Sequence, residues 1–236
     1  MTEHPGAPLR SGENNDRRAV AVLAKAPVAG RVKTRMCPPL SAEQAAALHA
    51  ANVTDVLSQR WPVDERWLFA VDADDPFWNS ARATGWRVTE QATGHLGLRI
   101  AHAIDTCAAT CDRVLILGSD TPQLDPALAG RALDAIGSAD IALTPSDDGG
   151  YVLLTARQSH DAWCGELPWG TDAVTAQTIS RASNAGFCVS VIGQAYDLDD
   201  VADLRRLWLD SGTLAPHLRP THTLGFLRAN ATTLGF

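Results

Sequence analysis

Short apolar stretches alternate with longer segments of helical spacing along most of this sequence. Residues 19–24 (AVAVLA) and 113–118 (RVLILG) are apolar almost throughout, which is typical of strands buried on both faces of a sheet. Strands that alternate with helices form βαβ units with right-handed crossovers. The pattern therefore predicts an α/β protein with a mostly parallel sheet.

The same periodicities place the individual elements. Strands are expected at 19–24, 66–71, 86–90, 113–118, 140–144, 151–155 and 187–192. Helices are expected at about 41–59, 76–84, 96–111, 126–136, 171–185 and 199–209. No clear period is found from Ser211 onward. A chain of 236 residues is long enough for one large domain and short for two. We therefore expect a flexible tail over 1–18, one domain over 19–210 and a C-terminal extension over 211–236.

Composition excludes several classes of protein. The formal net charge of −7 disfavours a broad nucleic-acid-binding face. No stretch approaches the roughly 18–20 apolar residues of a membrane span, and the polar N-terminal segment lacks an apolar signal core. The cysteine count of five is odd and includes no CxxC pair, which favours reduced thiols. We expect a cytoplasmic protein, with its oligomeric state left open.

A basic loop follows the first predicted strand. Between Arg17 and Ala42 there are six basic residues and no acidic one, and the loop itself reads KAPVAGRVKTR from Lys25 to Arg35. In an open α/β sheet, ligands bind outside the carboxyl ends of the strands, where this loop would lie. Gly30 would let the backbone approach an oxyanion, although neither GxxxxGK[ST] nor GxGxxG is present. The cations of this loop are expected to face solvent until an anionic ligand binds to them. The alternative is a solvated basic loop that binds no ligand.

Carboxylates follow two other predicted strands. Asp120 comes two residues after the strand at 113–118, and Asp197, Asp199 and Asp200 follow the last strand. Alternatively, Asp120 or Asp199 could cap the helix that comes next. Cations and carboxylates on one rim suit a diphosphate bridged to Mg²⁺ or Mn²⁺, since Mg²⁺ prefers a few carboxylates together with phosphate oxygens. Lysine and arginine would then stabilise charge on the leaving phosphate.

Four motifs occur in one order: KAPVAGRVKTR at 25–35, GSDTP at 118–122, PSDDGGY at 145–151 and PWGT at 168–171. This series resembles a bacterial GT-A-like family, the radical-SAM/selenodomain-associated transferases or arsenosugar-biosynthesis-type glycosyltransferases, over about residues 19–207. More distantly it resembles MobA-like guanylyltransferases, those of 2-phospholactate metabolism, and sugar-acid cytidylyltransferases. The resemblance implies a GT-A (nucleotide-diphospho-sugar transferase) fold in a single three-layer domain.

The resemblance also implies roles for individual residues. The residues expected to bind nucleotide phosphates are Lys25, Gly30, Arg31, Lys33, Arg35 and Ser119. The expected metal ligands are Asp120 and Asp199, and the expected catalytic residues are Asp120, Asp148 and Lys33. The residues expected to line a sugar or acceptor pocket are Asp147, Asp148, Gly149, Gly150, Trp169 and Thr171.

This chain departs from the family pattern at Gly94–Arg99, where GHLGLR stands for the usual GDLGER and two acidic positions become His95 and Leu98. The other histidines, His49 included, show no HxH or HExxH spacing and are expected to be surface or core residues rather than metal ligands. The loss of two acidic positions bears on the identity of the substrate.

Three functions remain open from sequence. The first is metal-dependent glycosyl transfer from a nucleotide-diphospho-sugar to a small-molecule acceptor. The alternative is nucleotidyl transfer, which joins a nucleoside triphosphate to a phosphorylated small molecule. A non-catalytic nucleotide-binding protein is the third. The same residues serve both transfer reactions, which differ in the bond that breaks.

Overall fold

A seven-stranded sheet runs through the centre of the protein, of which the computed structural model describes residues 16–236. The strands are β1 (Arg18–Lys25), β2 (Glu65–Val71), β3 (Arg87–Glu90), β4 (Arg113–Gly118), β5 (Ile141–Pro145), β6 (Tyr151–Ala156) and β7 (Val189–Val191). Their order across the sheet is β3-β2-β1-β4-β6-β5-β7, and β6 alone runs antiparallel to both neighbours. The predicted mostly parallel sheet is therefore confirmed. Residues 1–15 of the predicted tail lie outside the described residues.

The longer helices are α1 (Ala42–Ser58), α3 (Leu96–Ala108), α4 (Pro126–Ala135), α6 (Val174–Asn184), α7 (Val201–Asp210) and α8 (Thr221–Ala229). The shorter ones are α2 (Asn79–Ala83), α5 (Asp161–Cys164) and α9 (Ala231–Leu234). Within residues 16–236, none of these helices has the length and apolar character needed to cross a membrane.

Alternate residues of β1 explain why the sheet is covered on both faces. Val20 and Val22 pack into a core with α1, α2 and α4, whereas Ala19 and Ala21 pack into a second core with α3, α5 and α6. Successive side chains of a strand point to opposite faces, so an uninterrupted apolar strand needs a helical layer on each side. The result is the predicted three-layer arrangement.

The strand order fixes where a ligand can bind. From β1 the chain builds outward through β2 and β3, then returns to place β4 on the other side of β1. The connections that leave β1 and β4 diverge at their carboxyl ends, and such a switch point opens a crevice in doubly wound sheets. The loops that carry the basic residues and Asp120 begin at these two ends.

A third apolar cluster joins the C-terminal helices to the loops of the crevice. Leu224 and Leu227 of α8 meet Met36, from the end of the basic loop, and Leu198, which precedes Asp199. The sequence analysis found no period beyond residue 210, because the helices there are only 9 and 4 residues long. The boundary proposed at residue 210 stays a prediction.

Asp55 of α1 binds the first turn of α8 through hydrogen bonds. Its buried carboxylate accepts hydrogen bonds from the backbone N–H groups of His222 and Thr223, at 3.0 and 2.7 Å, and from the Thr223 hydroxyl. These N–H groups belong to the first turn of α8, where intrahelical acceptors are lacking. Asp55 therefore caps a helix that lies far away in sequence.

Asp55→Ala is expected to lower the free energy of unfolding by about 1–3 kcal/mol, because three donors lose their buried acceptor. Urea denaturation followed by circular dichroism measures the change. Asp105→Ala is the matched control: the same substitution at an exposed position of α3 is expected to alter stability by less than about 0.5 kcal/mol. Equal losses in the two variants would contradict the capping role.

Candidate functional site

A cleft of about 460 Å³ opens at the carboxyl ends of β1 and β4. Its floor is formed by apolar residues of these strands, including Leu23 and Leu117. Seven of the residues assigned from the sequence line it: Lys25, Arg31, Lys33, Arg35, Ser119, Asp120 and Asp199. The structure thus brings together the basic loop, the end of β4 and the segment after β7.

The basic loop presents cations at the mouth of the cleft. The Arg31 and Arg35 side chains are 72% and 73% exposed, and Lys25 is exposed where β1 ends. Gly30 has a φ of +77°, which side-chain-bearing residues rarely adopt, and apart from its chain neighbours no residue has an atom within 4 Å of where its Cβ would stand. The loop is therefore open around Gly30 and offers three cationic side chains to an anion.

Lys33 differs from the other cations of this loop. Its side chain is only 5% exposed, and its ammonium lies 2.7 Å from Asp120 Oδ1 and 3.4 Å from Asp199 Oδ1. It also donates a hydrogen bond to the carbonyl of Leu198. The expectation that every cation of the loop faces solvent is wrong for Lys33, because two carboxylates and a carbonyl stabilise its charge inside the protein.

The charges of this cluster stabilise one another. Burial by itself lowers the pKa of Lys33, but Asp120 and Asp199 outweigh it, so the pKa of Lys33 lies above its usual value. Burial raises the pKa of Asp120, yet the ammonium of Lys33 outweighs this and holds it below the usual range. Both groups therefore carry charge at neutral pH.

The structure shows whether Asp120 and Asp199 are helix N-caps, which was the alternative to a role at the nucleotide site. The N-cap of α4 is Asp125, whose carboxylate accepts from the backbone N–H of Ala127. The N-cap of α7 is Asp200, which forms a capping box with Asp203. Neither Asp120 nor Asp199 is the N-cap of a helix, so the capping alternative is wrong for both.

Asp148, Asp197 and Asp199, which we call the aspartate triad, each offer a carboxylate oxygen within 4.8 Å of the others. Asp197 accepts a hydrogen bond of 2.7 Å from the Ser146 hydroxyl, and Asp148 accepts one of 2.9 Å from the backbone N–H of Gly150. Burial raises the pKa of Asp197, and the neighbouring carboxylates add to this. A divalent cation would relieve the repulsion, and hard oxygen ligands of this kind suit Mg²⁺ or Mn²⁺.

The triad contains one of the two metal ligands expected from sequence. Asp199 belongs to it, whereas Asp120 is paired with Lys33 beside it. Asp197 was passed over, although its place two residues before Asp199 was a usable signal. Asp148 was assigned to catalysis and substrate binding, and the fold of the β5–β6 turn brings it to this group.

The β5–β6 turn depends on Gly149. This glycine has a φ of +86°, and an added Cβ would lie 2.1 Å from the backbone carbonyl oxygen of Asp172. The carbonyls of Gly149 and Gly150 accept hydrogen bonds from Thr175, which fixes the turn against the start of α6. Both glycines hold Asp148 in position, and neither lines the cleft.

Asp147 has different partners from its neighbour Asp148. Its carboxylate pairs with Arg206 of α7 and accepts a hydrogen bond from Gln194. These three residues belong to a separate cavity of about 630 Å³. The structure therefore separates Asp147 from the cleft, and its assignment to substrate binding stays a prediction.

Trp169 and Thr171 also lie outside the lining of the cleft. The indole of Trp169 donates to the carbonyl of Gly165 and meets the ring of Tyr151 edge-on. Thr171 donates its hydroxyl proton to the carbonyl of Pro168. These contacts fix the PWGT turn, and substrate contacts of either residue stay a prediction.

Sequence reasoning missed three polar residues of the cleft. His49, treated as an ordinary core or surface histidine, is buried in the cleft wall with Nε2 at 3.0 Å from the carbonyl oxygen of Lys25. Burial lowers its pKa, so the ring is neutral at pH 7. Arg99 donates to the side chain of Gln91, and both residues line the cleft. Arg99 ends the GHLGLR stretch, which was a usable signal, whereas no motif marks His49 or Gln91 and the fold alone brings them to the cleft.

The sequence profile of a family described as "Uncharacterized protein conserved in bacteria (DUF2064)" matches residues 53–171. The 2-phospho-L-lactate guanylyltransferase of Methanothermobacter thermautotrophicus is 30% identical over 197 residues, which cover 83% of this chain and 84% of that protein. The hemin import ATP-binding protein HmuV of Pseudomonas fluorescens is 29% identical over 64% of this chain and 60% of its own length. This chain lacks the P-loop motif GxxxxGK[ST].

Among solved structures, one from Desulfovibrio desulfuricans G20 superposes with a TM-score of 0.81 at 26% identity. It covers 92% of this chain and 96% of its own, and its name assigns it provisionally to the nucleotide-diphospho-sugar transferases. The agreement in fold over nearly the whole length of both chains confirms the predicted fold class.

Proposed function

The chain belongs to the DUF2064 family, and we propose that it is a metal-dependent nucleotidyltransferase that joins a nucleoside triphosphate to a phosphorylated small molecule. More broadly, it is a member of the superfamily that unites nucleotidyltransferases with nucleotide-diphospho-sugar transferases. The guanylyltransferase relative supports the nucleotidyl reaction, because the similarity extends over most of both proteins.

One observation carries the proposal: three exposed cations and the aspartate triad meet at the same end of the sheet. A nucleoside triphosphate bears more negative charge than a nucleotide-diphospho-sugar. Lys25, Arg31 and Arg35 offer one cation for each of its three phosphates. These side chains need not be freed from buried contacts before they bind phosphate. Charged donors that already point at a developing charge stabilise the transition state most.

In the proposed reaction, a phosphate oxygen of the acceptor attacks the α-phosphorus of the nucleotide. The bond from that phosphorus to the bridging oxygen breaks, and pyrophosphate leaves with the electron pair. Arg31 and Arg35 offset the charge that grows on the pyrophosphate, and the walls of the cleft hold acceptor and α-phosphate in line. No proton has to be removed from the acceptor, because its phosphate is already ionised.

The aspartate triad, with Asp120 beside it, would hold the Mg²⁺ or Mn²⁺ that the proposed function requires. Such an ion polarises phosphoryl oxygens and shields their charge from the nucleophile. Asp199 is the central residue of this arrangement, because it belongs to the triad, lines the cleft and contacts Lys33 and Arg35.

Glycosyl transfer is the second candidate. The observation in its favour is the solved structure that superposes over 92% of this chain and carries a nucleotide-diphospho-sugar transferase name. In that reaction the bond from the sugar carbon to the diphosphate breaks, and a nucleoside diphosphate leaves.

Incubation with a panel of nucleoside triphosphates and nucleotide-diphospho-sugars, plus phosphorylated and hydroxylic acceptors, separates the candidates. Nucleotidyl transfer predicts that pyrophosphate is released from one triphosphate only when Mn²⁺ or Mg²⁺ and a phosphorylated acceptor are present. Release of a nucleoside diphosphate from a sugar donor would instead establish glycosyl transfer. Binding without any product would favour the third function, a nucleotide-binding protein.

Nucleotide affinity is expected to fall about tenfold in Arg31→Gln, because one charge-assisted contact with a phosphate is lost. Affinity should also become less sensitive to salt, since exposed charges are screened. Isothermal titration with Mn²⁺ at two ionic strengths measures both effects. Arg228→Gln makes the same change at an exposed position of α8, away from the cleft, and should leave affinity unaltered.

A further inference from the structure

Lys33 occupies an unusual position for a residue expected to bind phosphate. The chain contains two lysines, Lys25 and Lys33, and both belong to the basic loop. Lys25 is exposed, whereas the side chain of Lys33 is 5% exposed and reaches between two carboxylates. Its backbone has a φ of +48°, in the left-handed region that residues with side chains seldom adopt. The loop therefore bends in a way that directs this side chain inward.

The ammonium of Lys33 has no donor left for a phosphate in this position. A protonated lysine has three N–H donors. Here they meet three acceptors: Asp120 Oδ1 at 2.7 Å, Asp199 Oδ1 at 3.4 Å and the carbonyl of Leu198. A phosphate could be contacted only if at least one of these partners were given up.

One of these partners is also a member of the aspartate triad. Asp199 offers its oxygens to Lys33 and Arg35, and it lies within 4.8 Å of the oxygens of Asp148 and Asp197. Two positive charges that compete for the same carboxylate weaken each other's binding. The contact between Lys33 and Asp199 therefore opposes the binding of a second cation at the triad.

We propose that Lys33 is an exchangeable internal counter-ion: it neutralises Asp120 and Asp199 in the metal-free protein and leaves Asp199 for the nucleotide phosphates when a divalent cation binds. This inference rests on the proposed function and extends it to the order of binding. A divalent cation alone binds weakly, because it must displace Lys33. A nucleotide supplies new partners for the displaced ammonium, so metal and nucleotide strengthen each other's binding.

Titration with Mn²⁺ in the absence of nucleotide tests the competition. Lys33→Met removes the charge and keeps a side chain of similar length, and the affinity for Mn²⁺ is expected to rise at least about tenfold. Arg31→Met is the matched control, because Arg31 lines the cleft and contacts neither Asp120 nor Asp199. Its affinity for Mn²⁺ should rise less than about threefold, through long-range charge alone.

A result in the other direction would overturn the proposal. If Lys33→Met melts like the parent and binds Mn²⁺ with equal or lower affinity, then Lys33 only holds the carboxylates in place. The Arg31→Met control separates competition at Asp199 from a general change in the charge of the cleft. An equal gain in both variants would therefore count against the exchange.

Chemical labelling of the unaltered protein gives a second test that does not depend on the folding of a variant. An amine-acylating reagent followed by mass spectrometry reports the modification rates of Lys25 and Lys33 separately. Without metal, Lys33 should react much more slowly than Lys25, because its ammonium is enclosed by acceptors. Saturation with Mn²⁺ should raise the rate of Lys33 relative to Lys25 at least severalfold.

An unchanged ratio of the two rates at saturating Mn²⁺ would exclude displacement of Lys33. Both tests use Mn²⁺ alone, without nucleotide or turnover. If Mn²⁺ displaces Lys33 but the protein releases no pyrophosphate, the nucleotidyltransferase proposal is refuted and the exchange of Lys33 is still supported. Failure to bind Mn²⁺ at all, in parent and variant, would refute both.

Discussion

Asp199→Asn is expected to lower turnover at least about a hundredfold while the protein stays folded. The substitution keeps the size of the side chain and removes its charge. Asp199 belongs to the triad, lines the cleft and contacts both Lys33 and Arg35, so the loss of its charge affects the metal site and two of the cations at once. The release of pyrophosphate at saturating nucleotide and Mn²⁺ measures the effect.

The neighbouring carboxylate provides a stringent control. Asp200 caps α7 by accepting hydrogen bonds from the backbone N–H groups of Ala202 and Asp203, at 2.7 and 3.1 Å. Asparagine is as good an N-cap as aspartate, so Asp200→Asn should preserve both stability and turnover. If Asp199→Asn retains parental activity with the preferred nucleotide, the metal and phosphate assignments around Asp199 are incorrect.

Gly149→Ala is expected to lower the free energy of unfolding by at least about 3 kcal/mol. Two costs add up here, that of placing a side-chain-bearing residue at a positive φ and that of an overpacked contact. The added Cβ would lie 2.1 Å from the backbone carbonyl oxygen of Asp172, which has no flexible end to move aside. Relief requires the β5–β6 turn to separate from the start of α6. Urea denaturation measures the loss, and turnover should fall as well because Asp148 adjoins this turn.

Gly186→Ala isolates the contribution of the contact. Gly186 has the same φ of +86°, but no other atom lies within 4 Å of its Cβ position. Only the conformational cost applies there, about 1–2 kcal/mol. Equal losses in the two variants would mean that the turn moves away from Asp172 without cost, and the role given to Gly149 would have to be abandoned.

The predicted and observed elements agree best where a short apolar run is buried on both faces of the sheet. The strand predicted at 113–118 is found at Arg113–Gly118, because its apolar side chains are buried on both faces. The helix predicted at 171–185 begins only at Val174, since the PWGT turn and the contact with Gly149 occupy the preceding residues. Helix α8 was missed because it has only 9 residues, and because the carboxylate that caps it, Asp55, is too distant in sequence to give a local signal.

The sequence by itself determined the layers, the mostly parallel sheet and the end of the sheet at which charged loops collect. These follow from the local periodicity of apolar residues and from the handedness of crossovers, which act on any chain with this pattern. The sequence also indicated which loops carry cations and which carry carboxylates, because the apolar runs show where each strand ends.

Only the tertiary structure decided how those charges are paired. Lys33 and Arg35 are two residues apart in one loop, yet Lys33 is directed inward to Asp120 while Arg35 stays exposed. Asp147 and Asp148 are adjacent, yet Asp147 pairs with Arg206 in a separate cavity while Asp148 belongs to the aspartate triad. Such differences depend on a backbone angle, or on a partner far away in sequence: Arg206 is 59 residues from Asp147, and Leu198 is 165 residues from Lys33. Local periodicity contains no information about contacts of that range.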